Sequence, residues 1–205
     1  MTTLLLIRHG ENDYVKKNKL PGLLPGIHLN VRGREQAAEL ARTLGHLPIT
    51  AIYSSPLERA VETATPLAEA KGLEIKLVPE IVDVRPGQWT GRSWKALQRT
   101  KVWKVIQETP SQFRFPGGES FAEAQERVVA ALESIVAAHA KEDMVAVIFH
   151  ADPIRLAVAH YLEMPLDKFQ RVLAFTGSVT IVRRDGESVQ LIASNLIPPF
   201  AFPKP

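Results

Sequence analysis

The sequence of 205 residues contains no cysteine, which excludes disulfide bonds and thiolate metal sites. It also lacks a long hydrophobic run: the apolar stretch Leu4 to Ile7 ends at Arg8 and is too short for a signal peptide or a membrane span. The formal net charge of +3 is too small to indicate nucleic-acid binding. We therefore expect a cytoplasmic protein that binds neither nucleic acid nor a membrane.

The hydrophobic content of 45% is enough for one sizeable core, and the length favours a single domain over residues 1–205. Strand-like and helix-like patterns alternate, as is typical of an α/β protein. The predicted strands are Leu4–Ile7, Thr50–Tyr53, Glu74–Val78, Met144–Phe149, Val172–Phe175, Val179–Arg183 and Val189–Ala193. The predicted helix starts are an N-cap at Asn30, an N-cap at Ser55, a capping box of Ser120 with Glu123, and an N-cap at Asp152.

A basic segment, residues 84–118, interrupts the alternation with seven basic residues and one acidic residue. Three tryptophans lie within it, and we expect it to be an insertion that is partly helical. Its charge has two interpretations: an ordinary solvated surface, or a short lid whose field draws an anionic substrate toward a site beneath it. Trp94 and Trp103 fit simple packing and substrate contact equally well.

Polar side chains follow three of the predicted strands. Arg8 and His9 come directly after the first strand, Arg59 lies in the first turn of the helix after the second, and His150 ends the central strand. Ligands of open α/β sheets bind at the carboxyl ends of strands, so these side chains are expected to converge. Two guanidinium groups match the geometry of a phosphate dianion, and a neutral histidine can attack phosphorus.

The chain resembles the histidine phosphatase (phosphoglycerate mutase-like) superfamily. The resemblance rests on Leu6-Ile7-Arg8-His9-Gly10-Glu11, on the block from Tyr53 to Ala64, on Pro116-Gly117-Gly118-Glu119-Ser120 and on the strand that ends in His150. These blocks extend from Leu4 to about Val182. The resemblance implies a three-layer α/β/α sandwich with a mostly parallel central sheet. It also implies a phosphatase that hydrolyses a small phosphate ester without a metal or another cofactor.

The resemblance implies roles for individual residues. His9 becomes phosphohistidine, while Arg8, Arg59 and His150 hold the phosphate. The family's acid, most often glutamate, stands four residues before a glycine-x-tryptophan-x-glycine motif, here Gly87 to Gly91, and that position is Asp83. Glu80 is the alternative acid.

Besides Asp83, this chain departs from the family pattern at three positions. Asn12 replaces a threonine or serine, Val15 replaces an asparagine that contacts phosphate, and Ala151 replaces the glycine after the second histidine. Because valine cannot hydrogen-bond to phosphate, Asn12 or a backbone amide near Gly22 is expected to do so instead. Ala151 remains a small residue beside the substrate.

Three alternative functions remain open. A mutase would return the phosphoryl group to the bound product, although family mutases carry a longer segment between the acid and the glycine-glycine-glutamate-serine block. A binding module would hold a phosphate ligand without catalysis. A metal centre at His150 and Asp152 is disfavoured, because nearby arginines would repel a cation and no third ligand has suitable spacing.

Overall fold

The computed structural model describes residues 1–186 and 188–200. Its centre is a six-stranded sheet, and numbered along the chain the strands are β1 (Thr2–Arg8), β2 (Ile49–Ser54), β3 (Ile75–Leu77), β4 (Met144–Phe149), β5 (Val179–Asp185) and β6 (Ser188–Leu196). Their spatial order is β3-β2-β4-β1-β5-β6. The pairings β3 with β2, β2 with β4 and β4 with β1 are parallel, whereas β5 and β6 join antiparallel.

Seven α-helices connect the strands in the described residues. They are α1 (Asp13–Lys16), α2 (Val31–Leu44), α3 (Glu58–Lys71), α4 (Trp94–Leu97), α5 (Val102–Glu108), α6 (Phe121–Ala137) and α7 (Ala151–Tyr161). Short 3₁₀ turns occupy Pro79–Ile81, Gly87–Trp89, Pro110–Gln112 and Leu166–Arg171. The Ser120 and Glu123 capping box at the start of α6 and the Asn30 cap of α2 are both formed as predicted.

Alternate residues of β1 point to opposite faces of the sheet and enter two different cores. Leu4 and Leu6 pack with α6 and α7, while Leu5 and Ile7 pack with α2 and α3. A sheet that is buried on both faces explains why β1 and β4 are continuous apolar runs in the sequence. The predicted α/β/α sandwich with a mostly parallel sheet is confirmed.

A third core lies beneath the basic segment. Trp89, Phe113 and Phe115 from that segment pack against α6 and α7. The segment contains α4, α5 and two 3₁₀ turns, so it is partly helical as predicted, and its description as an insertion stays a prediction. Trp89 is therefore a packing residue.

Two predicted helix caps were wrong. Helix α3 begins at Glu58 after Leu57, and the Ser55 hydroxyl instead lies beside His150. Helix α7 begins at Ala151 after His150, which puts Asp152 inside the first turn, where it pairs with Arg155. In both helices the observed N-cap lies two residues from the polar residue that was predicted as the cap.

The predicted strand Val172–Phe175 was also wrong. Its residues alternate, with Val172 and Ala174 buried and Leu173 and Phe175 exposed, but no neighbouring strand pairs with them in the described chain. Alternating burial of side chains predicts an extended backbone. Joining the sheet also requires a neighbouring strand with an unpaired edge. That edge of β1 is occupied by β5.

No helix among residues 1–186 and 188–200 combines the length and the apolar character that crossing a membrane requires.

Candidate active site

Three adjacent strands end at one edge of the sheet and bring the predicted residues together. Arg8 is in register with Phe149, so His9 and His150 follow their strands side by side, with ring centroids 5.2 Å apart. The His9 amide donates to the Phe149 carbonyl at 3.0 Å. On the other side of β4, the end of β2 leads into α3 and Arg59. The convergence follows directly from the parallel order of β1, β4 and β2.

Gly10 makes the turn after His9 possible. A side chain there would lie 2.6 Å from the carbonyl of Gly33 at the start of α2. The Gly10 amide donates to the Thr63 hydroxyl at 2.9 Å, and that hydroxyl donates to the Arg59 carbonyl at 2.7 Å. Thr63 thus connects the His9 turn to the helix that carries Arg59.

The His9 ring is fixed in one tautomer. Its Nδ1 lies 2.7 Å from the Gly10 carbonyl, which can only accept, so Nδ1 carries the proton and Nε2 keeps its lone pair. Burial, together with the charges of Arg59 and Arg8, holds the pKa of His9 well below its usual value. His9 is therefore neutral at physiological pH and presents an unprotonated Nε2.

Arg8 and Arg59 each use part of the guanidinium group in a hydrogen bond to a backbone carbonyl. Arg8 donates from Nη1 to the Ala174 carbonyl at 2.8 Å, and Arg59 donates from Nη2 to the Gly22 carbonyl at 2.9 Å. Arg59 is completely buried, and its Nε donates to His9 Nε2 at 3.3 Å. Burial lowers the pKa of Arg8 to about 10, so its charge is retained at neutral pH.

Several buried nitrogens at this edge have no hydrogen-bond partner among the described residues. Within the described chain, neither Arg8 Nε nor Arg59 Nη1 donates a hydrogen bond, and His150 Nδ1 makes none. Buried donors of this kind cost free energy unless an acceptor joins them. Two guanidinium groups with spare donors beside His9 form a site suited to a dianion.

His150 is buried and is held from the β2 side. Its Nε2 lies 2.9 Å from the Ser55 hydroxyl, and its Nδ1 lies 4.0 Å from Asp83 Oδ2. Burial and the neighbouring charge of Arg59 hold the pKa of His150 well below its usual value. Its ring is therefore neutral at neutral pH and is oriented by the hydroxyl of Ser55, a residue that the sequence predicted as a helix cap.

Asp83 and Glu80, the two candidate acids, lie in different places. Asp83 lines the cleft with His9, and its Oδ2 is 3.4 Å from Arg59 Nη2. Burial raises the pKa of Asp83 to about 6, although the charge of Arg59 opposes the shift. Glu80 is exposed and lines a separate groove beside Tyr53. The structure thus brings Asp83 to the histidines and leaves Glu80 outside the cleft.

The cleft has a volume of about 900 Å³ and extends outward from Arg8, His9 and Asp83. Its outer walls combine aromatic, amide and basic side chains. They include Asn18, Lys19, Trp94, Lys95, Gln98, Trp103, Gln107 and Gln170. Such a volume accommodates an organic group larger than phosphate itself.

Not all of the remaining residues that the sequence related to substrate contact line the cleft. Ala151 lines the cleft as the first residue of α7, and Val15 lines it as well. Asn12 is fully buried outside the lining, and its Oδ1 accepts from the Val15 amide at 2.9 Å. Gly22 contributes a carbonyl, which accepts from Arg59, rather than the expected amide. The contacts of Asn12 and Gly22 with substrate stay predictions.

The basic segment meets the cleft mainly through its tryptophans. Of its seven basic residues, only Lys95 lines the cleft. Trp94 and Trp103 both line it and contact each other edge to face at 5.9 Å between centroids. A second lysine, Lys19, joins the lining because the chain at 18–20 bonds to the backbone at 92–94.

Lys19 and the amide side chains of the outer cleft were not predicted from the sequence. They lie in irregular segments or on short helices, where no period marks the face that points inward. Ser55 was likewise not predicted as the partner of His150. The tyrosine-serine-serine-proline block contained the signal, but the same residue type also predicts a helix cap.

The chain is similar to known proteins over most of its length. The model of the histidine phosphatase superfamily (branch 1) matches residues 4–197. The chain belongs to this superfamily. Phosphoserine phosphatase 1 of Hydrogenobacter thermophilus is 30% identical over 198 residues, which are 96% of this chain and 93% of that protein. A 2,3-bisphosphoglycerate-dependent phosphoglycerate mutase of Thermoplasma acidophilum is 27% identical over 186 residues. The alignment covers 89% of this chain and 87% of that protein.

A solved structure agrees closely with the fold of this histidine phosphatase. It is a mutant phosphoserine phosphatase from Entamoeba histolytica in complex with phosphoserine, with a TM-score of 0.86 and 26% identity. The alignment covers 97% of this chain and 98% of that one. Membership of the superfamily and the named phosphatases support phosphatase activity.

Proposed function

We propose that this histidine phosphatase hydrolyses a small phosphate monoester through a phosphohistidine on His9. The observation that carries the proposal is the His9 ring itself. Its Nδ1 proton is directed to the Gly10 carbonyl, and its Nε2 lone pair lies beside the buried Arg59 and near the half-buried Arg8. That arrangement supplies a neutral nucleophile within a pocket for a dianion.

In the first step Nε2 of His9 attacks phosphorus in line with the leaving oxygen. Arg8, Arg59 and His150 neutralise the charge on the non-bridging oxygens. The hydrogen bond from Arg59 Nε to His9 Nε2, 3.3 Å long, is replaced by one to the phosphate. This exchange releases the lone pair at the moment of substrate binding.

Asp83 is the proposed general acid for the leaving oxygen. Its pKa of about 6 leaves a fraction protonated near neutral pH, and an adjacent phosphate dianion raises that fraction. In the second step the Asp83 carboxylate takes a proton from water, and the resulting nucleophile cleaves the phosphohistidine. The shorter aspartate is compensated by its placement beside Arg59 and His150.

Hydrolysis is preferred to the mutase reaction, which the relative from Thermoplasma keeps as a second candidate. A short basic segment over residues 84–118 leaves the cleft open to water. A mutase would require a bisphosphorylated primer for turnover, so the primer dependence distinguishes the two.

The proposed chemistry requires no metal ion. The arginines supply the positive charge that a metal would otherwise provide. A named relative, the metal-independent phosphoserine phosphatase of Arabidopsis thaliana, is 32% identical over 161 residues. Unchanged activity after dialysis against a chelator is the expected result.

The experiment combines a substrate panel with rapid chemical quench. Phosphoserine, 3-phosphoglycerate, sugar phosphates and p-nitrophenyl phosphate would be tested at a fixed enzyme concentration. We expect hydrolysis together with an acid-labile, alkali-stable phosphoenzyme during turnover. Turnover without any phosphoenzyme in single-turnover quench experiments would contradict the proposal.

A further inference from the structure

The acid loop, residues 80–86, carries Asp83 and contains no helix or strand from Val82 to Pro86. Sheet or helix hydrogen bonds therefore do not fix the position of this carboxylate. A general acid must nevertheless stay within hydrogen-bond reach of one leaving oxygen. Some other contact has to hold the backbone on both sides of Asp83.

A buried ion pair makes that contact. Arg127 on α6 donates from Nη2 to Glu119 Oε1 at 2.6 Å and from Nε to Oε2 at 3.3 Å. The two side chains are only 13% and 8% exposed. This paired geometry fixes both side chains in one plane.

The Glu119–Arg127 pair also forms hydrogen bonds with three backbone groups of the acid loop. Arg127 Nη1 donates to the Glu80 carbonyl and, at 3.3 Å, to the Val82 carbonyl. Glu119 Oε1 accepts from the Arg85 amide at 2.9 Å. The contacts lie before and after Asp83, so the pair holds the backbone of the acid rather than its carboxylate.

The neighbouring glycines permit this approach. A side chain on Gly118 would lie 2.1 Å from the Arg85 carbonyl, and one on Gly87 would lie 2.3 Å from the Pro116 carbonyl. The Glu119 amide donates to the Arg85 carbonyl at 3.1 Å. The glycine-glycine-glutamate-serine block therefore packs backbone to backbone against the acid loop.

Stability alone does not account for the pair. A buried ion pair gains little over apolar packing once its desolvation is counted. The pair also fixes the position of the acid loop, because its other hydrogen bonds reach backbone groups on both sides of Asp83. Supporting groups of this kind keep a reacting side chain in its productive geometry.

We propose that Glu119 and Arg127 are positioning residues that hold Asp83 at the leaving oxygen. The inference rests on the proposed role of Asp83 as general acid. Loss of the pair should therefore impair substrates that need a proton on the leaving group and spare those that do not. It should also leave phosphate binding unchanged.

The test compares Arg127→Met and Glu119→Gln on an alkyl phosphate and on p-nitrophenyl phosphate, with phosphoenzyme formation measured by rapid quench. We expect phosphorylation by the alkyl ester to fall about 10- to 100-fold and that by the aryl ester less than about threefold. Inhibition by inorganic phosphate should be unchanged. Equal losses with both esters would overturn the proposal.

Arg184→Met is the matched control. Arg184 forms a similar paired contact with Glu133, also on α6, with distances of 2.6 and 3.1 Å. Among the residues that the structure describes, the remaining hydrogen bond of Arg184 goes to the Ser188 carbonyl on β6, not to the acid loop. Its loss should leave the ratio of the two esters unchanged, and a changed ratio would show that the readout follows stability and would overturn the proposal.

A double-mutant cycle separates the inference from the proposed function. In an Asp83→Asn background, Arg127→Met should cost the alkyl ester little more, because the group that it positions is gone. A full additional loss would overturn the positioning role. If Asp83→Asn alone affects both esters equally, the acid assignment and this inference both fail; if only the Arg127 and Glu119 variants do so, the inference alone fails.

Discussion

Arg59 donates a hydrogen bond from Nε to Nε2 of His9 at 3.3 Å, and it does so from a completely buried position. The Gly10 carbonyl fixes the other ring nitrogen as the donor. The proposed nucleophilic atom is thus held by the same cation that is expected to bind the phosphate. Variants of the two residues should therefore have different effects. Loss of His9 should stop the chemical step, whereas loss of Arg59 should weaken phosphate binding.

His9→Ala should abolish turnover and phosphoenzyme formation together, because it removes Nε2, the proposed nucleophilic atom. The fold should be retained, since the side chain lies at the strand end and outside the three cores. Thermal denaturation checks the fold, and rapid quench with labelled substrate checks the phosphoenzyme. Acid-labile phosphate recovered on the variant would assign the nucleophile elsewhere.

Arg59→Ala should weaken the binding of phosphate or vanadate by about 2–5 kcal/mol, the usual cost of removing one partner of a buried charge pair. Inhibition constants measure the effect. Arg99, an exposed residue of the basic segment, provides the control, and Arg99→Ala should change binding by less than about 1 kcal/mol. A similarly small change for Arg59→Ala would place its guanidinium outside the phosphate site.

The convergence of Arg8, His9, Arg59 and His150 could be predicted from the sequence. Each follows a strand, and the carboxyl ends of neighbouring parallel strands share an edge. The structure confirms the sandwich that this reasoning requires, and it shows the four side chains together. Their catalytic roles stay predictions until the variants are measured.

Other features depended on packing that a sequence pattern does not contain. Asn12 and Ser55 can each act as a cap or as a site residue, and only the path of the chain decides between these roles. Arg127 and Glu119 lie in a helix pattern and a turn motif, and nothing in the sequence shows that they meet the loop at Asp83. Long-range contacts between irregular segments leave no periodic pattern in the sequence.

Lys19 and Lys95 should attract the anionic substrate, because they are the two lysines within residues 1–186 and 188–200 that line the cleft. Lys95→Met and Lys19→Met should each lower kcat/KM by about 1.4- to fivefold at low salt, as expected from the ~0.2–1 kcal/mol of an exposed charge contact. The effect should shrink as ionic strength rises. Lys101→Met is the control, since Lys101 is exposed and outside the cleft; equal losses in all three variants would indicate a general surface effect.

The pH profile of kcat/KM should fall on the alkaline side, because the acid form of Asp83 is lost above its pKa of about 6. The lowered pKa of His9 moves the corresponding acid limb well below the usual histidine value. In Asp83→Asn the alkaline fall should disappear for an alkyl phosphate, while the ionisation of the substrate stays common to both proteins. Identical profiles for the two proteins would remove Asp83 from the proton transfer.

The raised pKa of Asp83 should also appear in the stability of the protein. Because the pKa rises from 3.8 to about 6 on folding, the folded state binds this proton more tightly, and stability is lost as pH rises from about 4 to about 6. At 1.36 kcal/mol for each pKa unit, the loss is about 3 kcal/mol.

Asn at position 83 cannot ionise, so Asp83→Asn should gain about 2.4 kcal/mol of this difference relative to the wild type between about pH 4 and pH 7. Urea denaturation of both proteins at the two pH values measures this difference. The comparison cancels every other titrating group that the substitution leaves unperturbed. A difference in unfolding free energy that stays constant with pH would mean that Asp83 titrates at its ordinary value, and the cleft would then lack a carboxyl poised to donate a proton near neutral pH.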